Sequence, residues 1–500
     1  MSSFSGINVA LQNLLAQQAA LEITQNNVAN ANTEGYHRQQ AVMKAGFPAR
    51  SMSLTNSAGV QNIGTGVYIS NIKRYSLDFY DTQYRSQLSQ NSRYSMLTDM
   101  LSEIETNLAD SSSDSLTNRI NNFFAGWQTV ATDPDIAANR QDLLETTQTL
   151  VEGFQNRALS LIQIQKDQNL AITQRVDDVN SIAKQLAELN AEIGRSQTDT
   201  SDPNALLDER DRLLDKLATN IGTTVHIQDD GQVLVSIQGH ALVIGSRTFK
   251  LEATPVAANG NLVKINWADD PDKNALTIEN GEIGGIMYAR DTVIGDQLKR
   301  LDNTATSLMN RVNAIHQSGY DLNGNAGLPF FVFSDGSTNP VHASLSISLN
   351  TNITSYTQIA AATQVTAPGV GAPGDGNNAL DIANCINTTT FPTRVPPITA
   401  LTNAQDPVMA AGEQSIGHYN TSRITQLALE QRHAETGVKD TKSIMTAMDE
   451  QRESVAGVNL DEEAANMLKY QRAYQAAARL MNTFDQMLEL VVTNLGLAGR

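Results

Sequence analysis

Two short stretches of this 500-residue chain contain residue types at spacings found in ligand sites. Residues Gly369 to Gly374 match the G-x-G-x-x-G turn that cradles a dinucleotide, and Asp321 to Asn325 match the start of a calcium-binding loop. Pro373 interrupts the first pattern, and no acidic ribose ligand follows about twenty residues later. In the second, the glycine falls one position late and Val332 occupies the place of the closing Glu. We therefore predict an ordinary loop and a turn.

The other chemistry-bearing residues have no arrangement that predicts a catalytic residue, a cofactor or a metal ion. The histidines lack the HExxH pattern or another paired ligand spacing, and the chain has no G-x-S-x-G elbow or Walker loop. The single cysteine, Cys385, excludes an intrachain disulfide and is expected to be a small buried residue. The carboxylates from Asp461 to Glu463 lie at the start of a predicted helix, where their negative charge interacts favourably with the positive end of the helix dipole. The histidines are His37, His226, His240, His316, His342, His418 and His433.

Composition and charge argue against two broad classes of partner. The net charge of -18 and the pI of about 4.8 disfavour nucleic acid, because phosphate binding needs clustered Lys and Arg. The mean hydropathy is -0.29 and no run approaches the roughly eighteen apolar residues of a membrane helix, so we expect no membrane span. No Lys or Arg precedes Arg38, so we expect that an exported chain would leave the cell without a Sec-type leader.

The C-terminal stretch Met467 to Leu495 has a continuous helical pattern. Alternating steps of three and four residues meet only apolar or aromatic side chains, and the residues between them are mostly polar or charged. The pattern predicts a helix with one narrow seam that another helix must cover. The seam residues are Met467, Tyr470, Tyr474, Ala477, Met481, Phe484, Leu488, Val491 and Leu495.

The N-terminus supplies a candidate partner, because its apolar residues recur every seven positions between Ile7 and Val28. We hypothesise that the two helices gain too little from each other alone and bury their remaining apolar faces against neighbouring subunits. The alternative is that each helix packs on a globular core of its own chain. The candidate assembly contacts are Ile7, Leu14, Leu21, Val28, Tyr474, Met481, Phe484, Leu488, Val491 and Leu495.

The rest of the chain predicts long helices interrupted by a β segment. Helices are expected over Ser76 to Leu108, Leu116 to Ala131, Ile136 to Ile193, Asp202 to Ala218, Ile294 to Ile315 and Val408 to Glu453. The third range would form one very long helix or two nearly continuous ones, on the order of 85 Å in all, which favours a rod over a globule. An Asp-Gly hairpin turn at 229–231 opens a run of strand-like pieces that continues to Leu276 to Ile278. Tyr36 to Ile72 is expected to be extended, and Asn323 to Pro397 to be rich in loops.

These patterns predict a mainly α, discontinuous multidomain protein with a small β insertion. Residues 1–72 with 455–500 would form a terminal-helix coiled-coil domain with an extended arm. Residues 73–220 with 285–454 would form a long-helix bundle, and 221–284 a small β domain.

Both ends of the chain also contain recognisable motifs. The segments Asn26 to Gln39, Gly457 to Asn466 and Tyr470 to Arg479 resemble the N- and C-terminal signatures of the flagellar rod, hook and hook-associated protein family. The match is specific and has the right order at both ends. The motif residues are Asn30, Asn32, Thr33, Gly35, Tyr36, Arg38, Asn459, Leu460 and Glu463.

The resemblance implies a mechanical function. Terminal helices would form an inner coiled-coil layer with a helical domain outside it and a β domain further out. Subunits would assemble as a ring or short tube that joins the flagellar hook to the filament, with the hook protein and a second hook-filament junction protein as partners. The family also implies type III export to the outside of the cell and a cytoplasmic export chaperone on the C-terminal helix.

Three alternatives remain open from the sequence. The chain could be another axial protein, such as the hook or distal rod protein, although the motif at Asn32 to Gln39 and the run Leu460 to Asn466 argue against both. A filament-side junction protein fits less well. A secreted enzyme with helical export ends would need an acid/base or metal cluster in its middle, and the sequence offers none.

Overall fold

The computed structural model describes residues 2–46, 65–108, 115–198, 203–337, 340–390, 392–393, 395, 408 and 414–495. Side chains are described throughout these ranges except at residues 2–5, 108, 197–198, 491–492 and 494–495. The described chain is mainly helical, with short antiparallel strands. The predicted fold class is therefore confirmed.

The two ends of the chain form an antiparallel pair of long helices. Helix α1 spans Ser2–Ala29, and the C-terminal helix, α11, spans Leu460–Leu495. Gly6 lies against Phe484 at one end of the pair, and Asn27 bonds Glu463 at the other. A Cβ on Gly6 would lie 2.6 Å from the phenyl ring, so only glycine lets this ring approach the α1 backbone.

A two-stranded arm lies along the N-terminal helix. Strands β1 (Gln39–Ala45) and β2 (Val67–Arg74) pair antiparallel, and both contact α1. The arm therefore covers a second side of α1, while α11 packs extensively on α1 and on no other element of the described chain. Residues 47–64, which belong to the predicted extended arm, lie outside the described ranges.

Long helices build the body of the molecule. They are α2 (Asp78–Leu108), α3 (Leu116–Thr132), α4 (Ala137–Thr198), α5 (Asn204–Asn220), α6 (Gly281–Tyr288), α7 (Gly295–Gln317) and α10 (Ile416–Ala456). A π-helical turn at Ala289–Ile294 joins α6 to α7. Helix α4 has 62 residues and is therefore about 93 Å long, which confirms the predicted rod. The largest helix pairs of the body are α2 with α10, α2 with α6 and α3 with α4.

The β insertion packs on the second half of α4. Strands β3 (Thr224–Ile227), β4 (Val233–Ile237), β5 (His240–Ile244) and β6 (Arg247–Thr248) form one sheet in that order. Strands β7 (Leu251–Val256) and β8 (Leu262–Trp267) form a hairpin, with a 3-10 turn at Ala257–Asn259 between them. One apolar core runs without interruption from the helices into both sheets. The division into three domains stays a prediction.

Three asparagines of α4 hold these strands in place. Asn190 donates to the carbonyls of Val233 (2.9 Å) and Gly245 (3.0 Å) and accepts from the Val233 N–H (3.0 Å). Asn180 makes the same two-way contact with Leu251, and Asn169 accepts from the Val263 N–H. Asn190 is fully buried, and its side chain satisfies backbone groups at the end of a strand.

A loop-rich layer covers α7. It contains β9 (Phe331–Phe333), α8 (Ala343–Ser346), β10 (Ile347–Leu349), a 3-10 turn at Tyr356–Gln358 and α9 (Asn377–Asn384). The buried ring of His316 joins this layer to α7: its Nδ1 lies 2.6 Å from the carbonyl of Leu328, and its Nε2 accepts from the Ala360 N–H at 2.9 Å. Both bonds together require the neutral ring protonated at Nδ1.

One predicted element was wrong. Leu276 to Ile278 is not a strand, although the Leu276 N–H bonds the carbonyl of Ile265. The helix predicted from Ile294 is confirmed as α7, but the helix α6 before it was not predicted. Helix α6 packs so closely on α2 that a Cβ on Gly285 would lie 2.7 Å from the Arg93 carbonyl oxygen. The glycines that hid this helix in the sequence make its packing possible. The last body helix begins at Ile416, and residues 409–413 of its predicted range lie outside the described ranges.

The buried His316 ring should make stability depend on pH. Burial lowers its pKa from 6.5 to about 4, so between these values the unfolded chain binds a proton that the folded chain does not. We expect the free energy of unfolding to decrease by up to about 3 kcal/mol as the pH falls through this window. When the free energy of unfolding from denaturant titrations is plotted against pH between 4 and 6.5, its slope should be smaller for His316→Gln than for the parent chain. The exposed-residue control His226→Gln should keep the parent slope, and an unchanged slope in His316→Gln would contradict the assignment.

Candidate functional site

The predicted C-terminal seam faces the N-terminal helix of the same chain. Tyr470 and Ala477 are buried at its centre. Tyr474, Met481, Phe484 and Leu488 are half-buried on the same side, and the side chains of Val491 and Leu495 lie outside the described part. On α1, Ile7, Leu14 and Leu21 are half-buried, and Val28 is exposed. The residues predicted as assembly contacts thus belong largely to the pairing of α1 with α11.

A second apolar stripe on α11 remains uncovered. Leu480, Met487 and Leu490 are 51%, 57% and 61% exposed. Together with Ala476 and Thr483 they repeat the alternation of four and three residues, about a quarter-turn or more around the helix from the covered seam. Leu11 and Leu15 on α1 are also exposed. This stripe was not predicted, although its periodicity is visible in the sequence, because the alanine and the threonine make it less apolar.

A buried polar knot fixes the end of the helix pair. The Asn27 side chain donates to Glu463 Oε2 (3.0 Å) and to the Gln39 carbonyl (2.8 Å), while its Oδ1 accepts from the Tyr36 hydroxyl (2.8 Å) and the Gln39 N–H (3.0 Å). Arg38 donates through Nε to Glu463 Oε1 at 2.8 Å. The knot therefore joins α1, the turn that follows it, the arm and the start of α11.

Three predicted motif residues, Tyr36, Arg38 and Glu463, meet in this knot. Asn459 lies beside it and caps α11, because its Oδ1 accepts from the backbone N–H groups of Asp461 and Glu462. Leu460 is exposed. The carboxylates of the first turn lie at the helix start as predicted, but Glu463 is 2% exposed and mainly holds Arg38 and Asn27.

The other motif residues form the turn after α1. Asn30 donates to the carbonyl of Asn26, and Thr33 donates to Asn30. Gly35 has φ +77°, a left-handed backbone conformation that favours glycine. Asn32 is exposed in the same turn. This turn directs the chain from the end of α1 into the knot.

Beyond the knot, a buried carboxylate connects the arm to the body. Asp211 on α5 contacts Arg74 of β2 (2.6 Å), Arg85 of α2 (3.3 Å) and its neighbour Arg210 (3.0 Å). Arg74 also bonds Asp208 (2.8 Å). Removing any one partner would leave a charge in a poorly solvated place. These ion pairs form a joint that holds the terminal unit, which consists of α1, the arm and α11, against the helical body.

The electrostatics of the joint follow from burial and charge together. Burial alone would raise the pKa of Asp211, but the guanidinium groups of Arg210, Arg74 and Arg85 outweigh it and hold that pKa well below its usual range. Burial, reinforced by the carboxylates of Asp208 and Glu463, raises the pKa of the Tyr36 hydroxyl to about 12. Asp211 is thus ionised and Tyr36 is a neutral donor at physiological pH.

The stretches that resembled ligand sites have structural roles. The Asp321 carboxylate accepts from the N–H groups of Asn323 (2.8 Å) and Asn325 (2.7 Å), which forms the predicted turn. Residues 369–374 form a loop closed by the bond from Val370 N–H to the Ala367 carbonyl. Cys385 is buried, as predicted. The described residues contain no group of three or more His, Cys, Asp or Glu side chains able to hold a metal ion. None of the described helices has the length and apolarity to cross a membrane.

Two adjacent glutamates on one arginine give a matched test of the knot. Glu463→Gln removes the buried carboxylate that Arg38 and Asn27 share and leaves Arg38 only its exposed partner, so it should destabilise the helix pair by about 3 kcal/mol. Glu462 also pairs with Arg38 (2.8 Å) but is mostly exposed, so Glu462→Gln should cost less than about 1 kcal/mol. Hydrogen exchange over residues 7–29 and 464–490 would measure the difference. Equal exchange in the two variants would contradict the assigned role of Glu463.

Comparison with known families places both ends and the body in one group of proteins. Residues 101–331 match the family model described as the flagellar hook-associated protein FlgK helical domain. Residues 450–494 match the flagellar basal body rod FlgEFG protein C-terminal family, and residues 7–37 match the flagella basal body rod protein family. Together the three models match more than half of the chain.

Individual relatives extend this similarity over the full length. The flagellar hook-associated protein 1 of Bacillus subtilis is 29% identical over 530 aligned positions that cover 100% of both chains. The protein of the same name from Escherichia coli is 27% identical, with 97% of this chain and 99% of the relative covered. A solved structure of the flagellar hook junction protein FlgK from Burkholderia pseudomallei has the same fold, with a TM-score of 0.62 over 75% of this chain and 100% of that chain at 17% identity. Over its full length the chain is therefore similar to proteins named flagellar hook-associated protein 1.

Proposed function

We propose that this chain is a structural subunit of the bacterial flagellum that polymerises as the junction between hook and filament and allows the filament to assemble. The observation that carries the proposal is the uncovered stripe on α11. A helix pair that leaves a second regular apolar stripe in water is incomplete as a monomer. Further helices at this stripe would complete it.

The assembly contact is centred on the exposed stripe. Burying a Leu or Met side chain stabilises by roughly 1.5 to 3 kcal/mol, so Leu480, Met487 and Leu490 supply several kcal/mol per subunit. Leu11, Leu15 and Val28 extend the contact onto α1. The half-buried predicted residues, such as Leu14 and Leu488, contribute only the part of their surface that the helix pair leaves open.

The proposed partners are the proteins that a subunit between hook and filament would contact. Copies of this chain form the ring or short tube, the hook protein meets it on one side, and a second hook-filament junction protein meets it on the other. The chain is a structural element in this role, and no step of the role requires catalysis. The hook and distal rod alternatives are less well supported, because the relatives that match along the whole chain are named hook-associated protein 1.

Export and a chaperone complete the proposal. A subunit that reaches the outside of the cell through the flagellar type III channel must keep its apolar stripe from aggregating before assembly. A cytoplasmic export chaperone that covers the C-terminal helix would serve this purpose. The same residues would then bind first the chaperone and later the neighbouring subunits.

Charge placed in the stripe should block assembly without unfolding the chain. Leu480→Glu and Met487→Glu should each reduce incorporation into isolated flagella at least about tenfold, because a carboxylate would be buried without a partner. The control Gln486→Glu adds the same charge to an exposed polar position beside Met487 and should incorporate normally. Circular dichroism of the purified variants should match the parent chain. Normal incorporation of both stripe variants would contradict the proposed contact.

Loss of the protein should separate hooks from filaments. Electron microscopy of a deletion strain should show hooks without attached filaments, and monomeric flagellin should accumulate in the medium. Expression of the parent chain should restore filaments. A deletion strain with normal filaments would overturn the proposed function.

A further inference from the structure

Two short connections join the terminal unit to the body. The first, residues 75–77, leads from β2 to α2, and the second, residues 457–459, leads from α10 to α11. Arg38 ties them together through its main chain, because its N–H donates to the Ala456 carbonyl at 2.8 Å and its carbonyl accepts from the Tyr75 N–H at 3.0 Å. The two connections therefore lie side by side and form a narrow waist between the terminal unit and the body.

The apolar core of the body stops short of this waist. Its members among the described residues lie between Met96 and Ala434, and none of them belongs to α1, the arm or α11. The buried apolar residues of the terminal unit, such as Ala20 and Ala477, lie in the helix pair instead. The core of the body thus does not fix the angle at which the terminal unit stands on it.

An open cleft lies beside the waist. It has a volume of about 700 Å³, and its walls are the turn after α1, helices α2 and α5 and the end of α10. The turn contributes Asn32 and Thr33, and the body contributes Tyr84 of α2 and Thr219 of α5. The terminal unit and the body are therefore not fully packed against each other here, and the unit has room to move.

A row of carboxylates on α5 provides the polar contacts at the waist. Asp208, Asp211 and Asp215 follow each other at steps of three and four residues, so they lie on one face of the helix. Arg74 of β2 pairs with Asp208 (2.8 Å) and Asp211 (2.6 Å), and Arg85 of α2 pairs with Asp211 (3.3 Å) and Asp215 (2.6 Å). Of these two arginines, Arg74 comes from the terminal unit and Arg85 from the body.

Arg74 makes a stronger contact with α5 than its neighbours in the terminal unit do. Its side chain is 6% exposed and spans two carboxylates with two charged hydrogen bonds. Burial alone would lower the pKa of this guanidinium, but the carboxylates of Asp211 and Asp208 raise it above its ordinary value. His37 reaches Asp208 alone, and Asn204 of α5 donates to a carbonyl of β2 at 3.3 Å.

We propose that the terminal unit is hinged on the body at the waist and that Arg74 is the positioning residue that latches it at one angle. A hinge needs only a few residues at the ends of elements to absorb the change in backbone angles, and the two connections supply them. When Arg74 leaves, Asp211 keeps Arg85 and Arg210 as partners, so its charge stays paired. The latch can therefore open while the body stays folded.

The angle of the terminal unit decides where its exposed stripe stands. A latched unit presents Leu480 and Met487 in one direction relative to the body, whereas a free unit presents them in many. Binding then has to pay for ordering the unit, which a preorganised unit avoids. The latch acts within one chain and is independent of the proposed function.

A distance measured across the waist tests the latch. In a Cys385→Ala background, spin labels are attached at Gln475→Cys on α11 and Lys442→Cys on α10, both at exposed positions. At ~1.5 Å per residue, each label lies about 22 Å from the waist, so their separation follows the angle. Double electron–electron resonance on the purified full-length chain should give one narrow distance distribution. Arg74→Gln should make that distribution at least about twice as wide.

Arg85→Gln is the matched control, because it removes the same group from Asp211 but within the body. Its distance distribution should stay as narrow as that of the parent chain, while its unfolding midpoint falls. Arg74→Gln should keep the helix content of the parent by circular dichroism. Equal widths in Arg74→Gln and the parent would overturn the latch. A loss of helix content in Arg74→Gln would also overturn it, because Arg74 would then hold the body itself together.

A second pair of variants tests the same contact from the side of α5. Asp208 pairs with Arg74, whereas Asp215 pairs with Arg85 and Arg452, which both belong to the body. Asp208→Asn should therefore widen the distance distribution, and Asp215→Asn should leave it narrow. Equal widths in these two variants would overturn the latch. Since every readout uses the purified chain, failure of the proposed function would leave these results unchanged.

Discussion

The structure depends on the antiparallel pairing of its first and last helices. Because these segments lie at opposite ends of the chain, the chain between them must leave and return beside the same knot around Glu463 and Asn27. Two helices can cover only one stripe of each other. The arm covers another side of α1, and the stripe through Leu480 and Met487 on α11 is left in water. This incompleteness of the monomer leads directly to the proposed assembly.

The joint and the helix pair use different interactions for different purposes. The pair is apolar and long, so it tolerates contact with further helices of similar pattern. The joint is polar and buried, with Asp211 among three arginines and Arg38 on Glu463. Buried ion pairs add little net stability but strongly penalise displaced partners. The joint therefore fixes the position of the terminal unit on the body, while the apolar stripe provides the proposed contact with neighbouring subunits.

The sequence was most informative where structure depends on local periodicity. The C-terminal seam, the long helix α4 and the β hairpin after Ile221 follow from spacing and turn residues alone. It was least informative where distant residues meet. Arg74 meets Asp211, and Arg452 meets Asp81, across long stretches of sequence that no spacing rule brings together. The α6 helix was missed because its glycines serve close packing on α2, a reason that exists only in the fold. Which of the two stripes on α11 would be covered could not be read from periodicity, since both have the same alternation.

The most direct test of the incomplete helix pair is hydroxyl-radical footprinting of the purified chain and of the chain in isolated flagella. Leu480, Met487 and Leu490 should be labelled in the free chain and strongly protected in flagella. Leu170, which is exposed on α4, serves as the internal reference and should be labelled in both. Equal labelling of the α11 stripe in the free and the assembled chain would contradict the account.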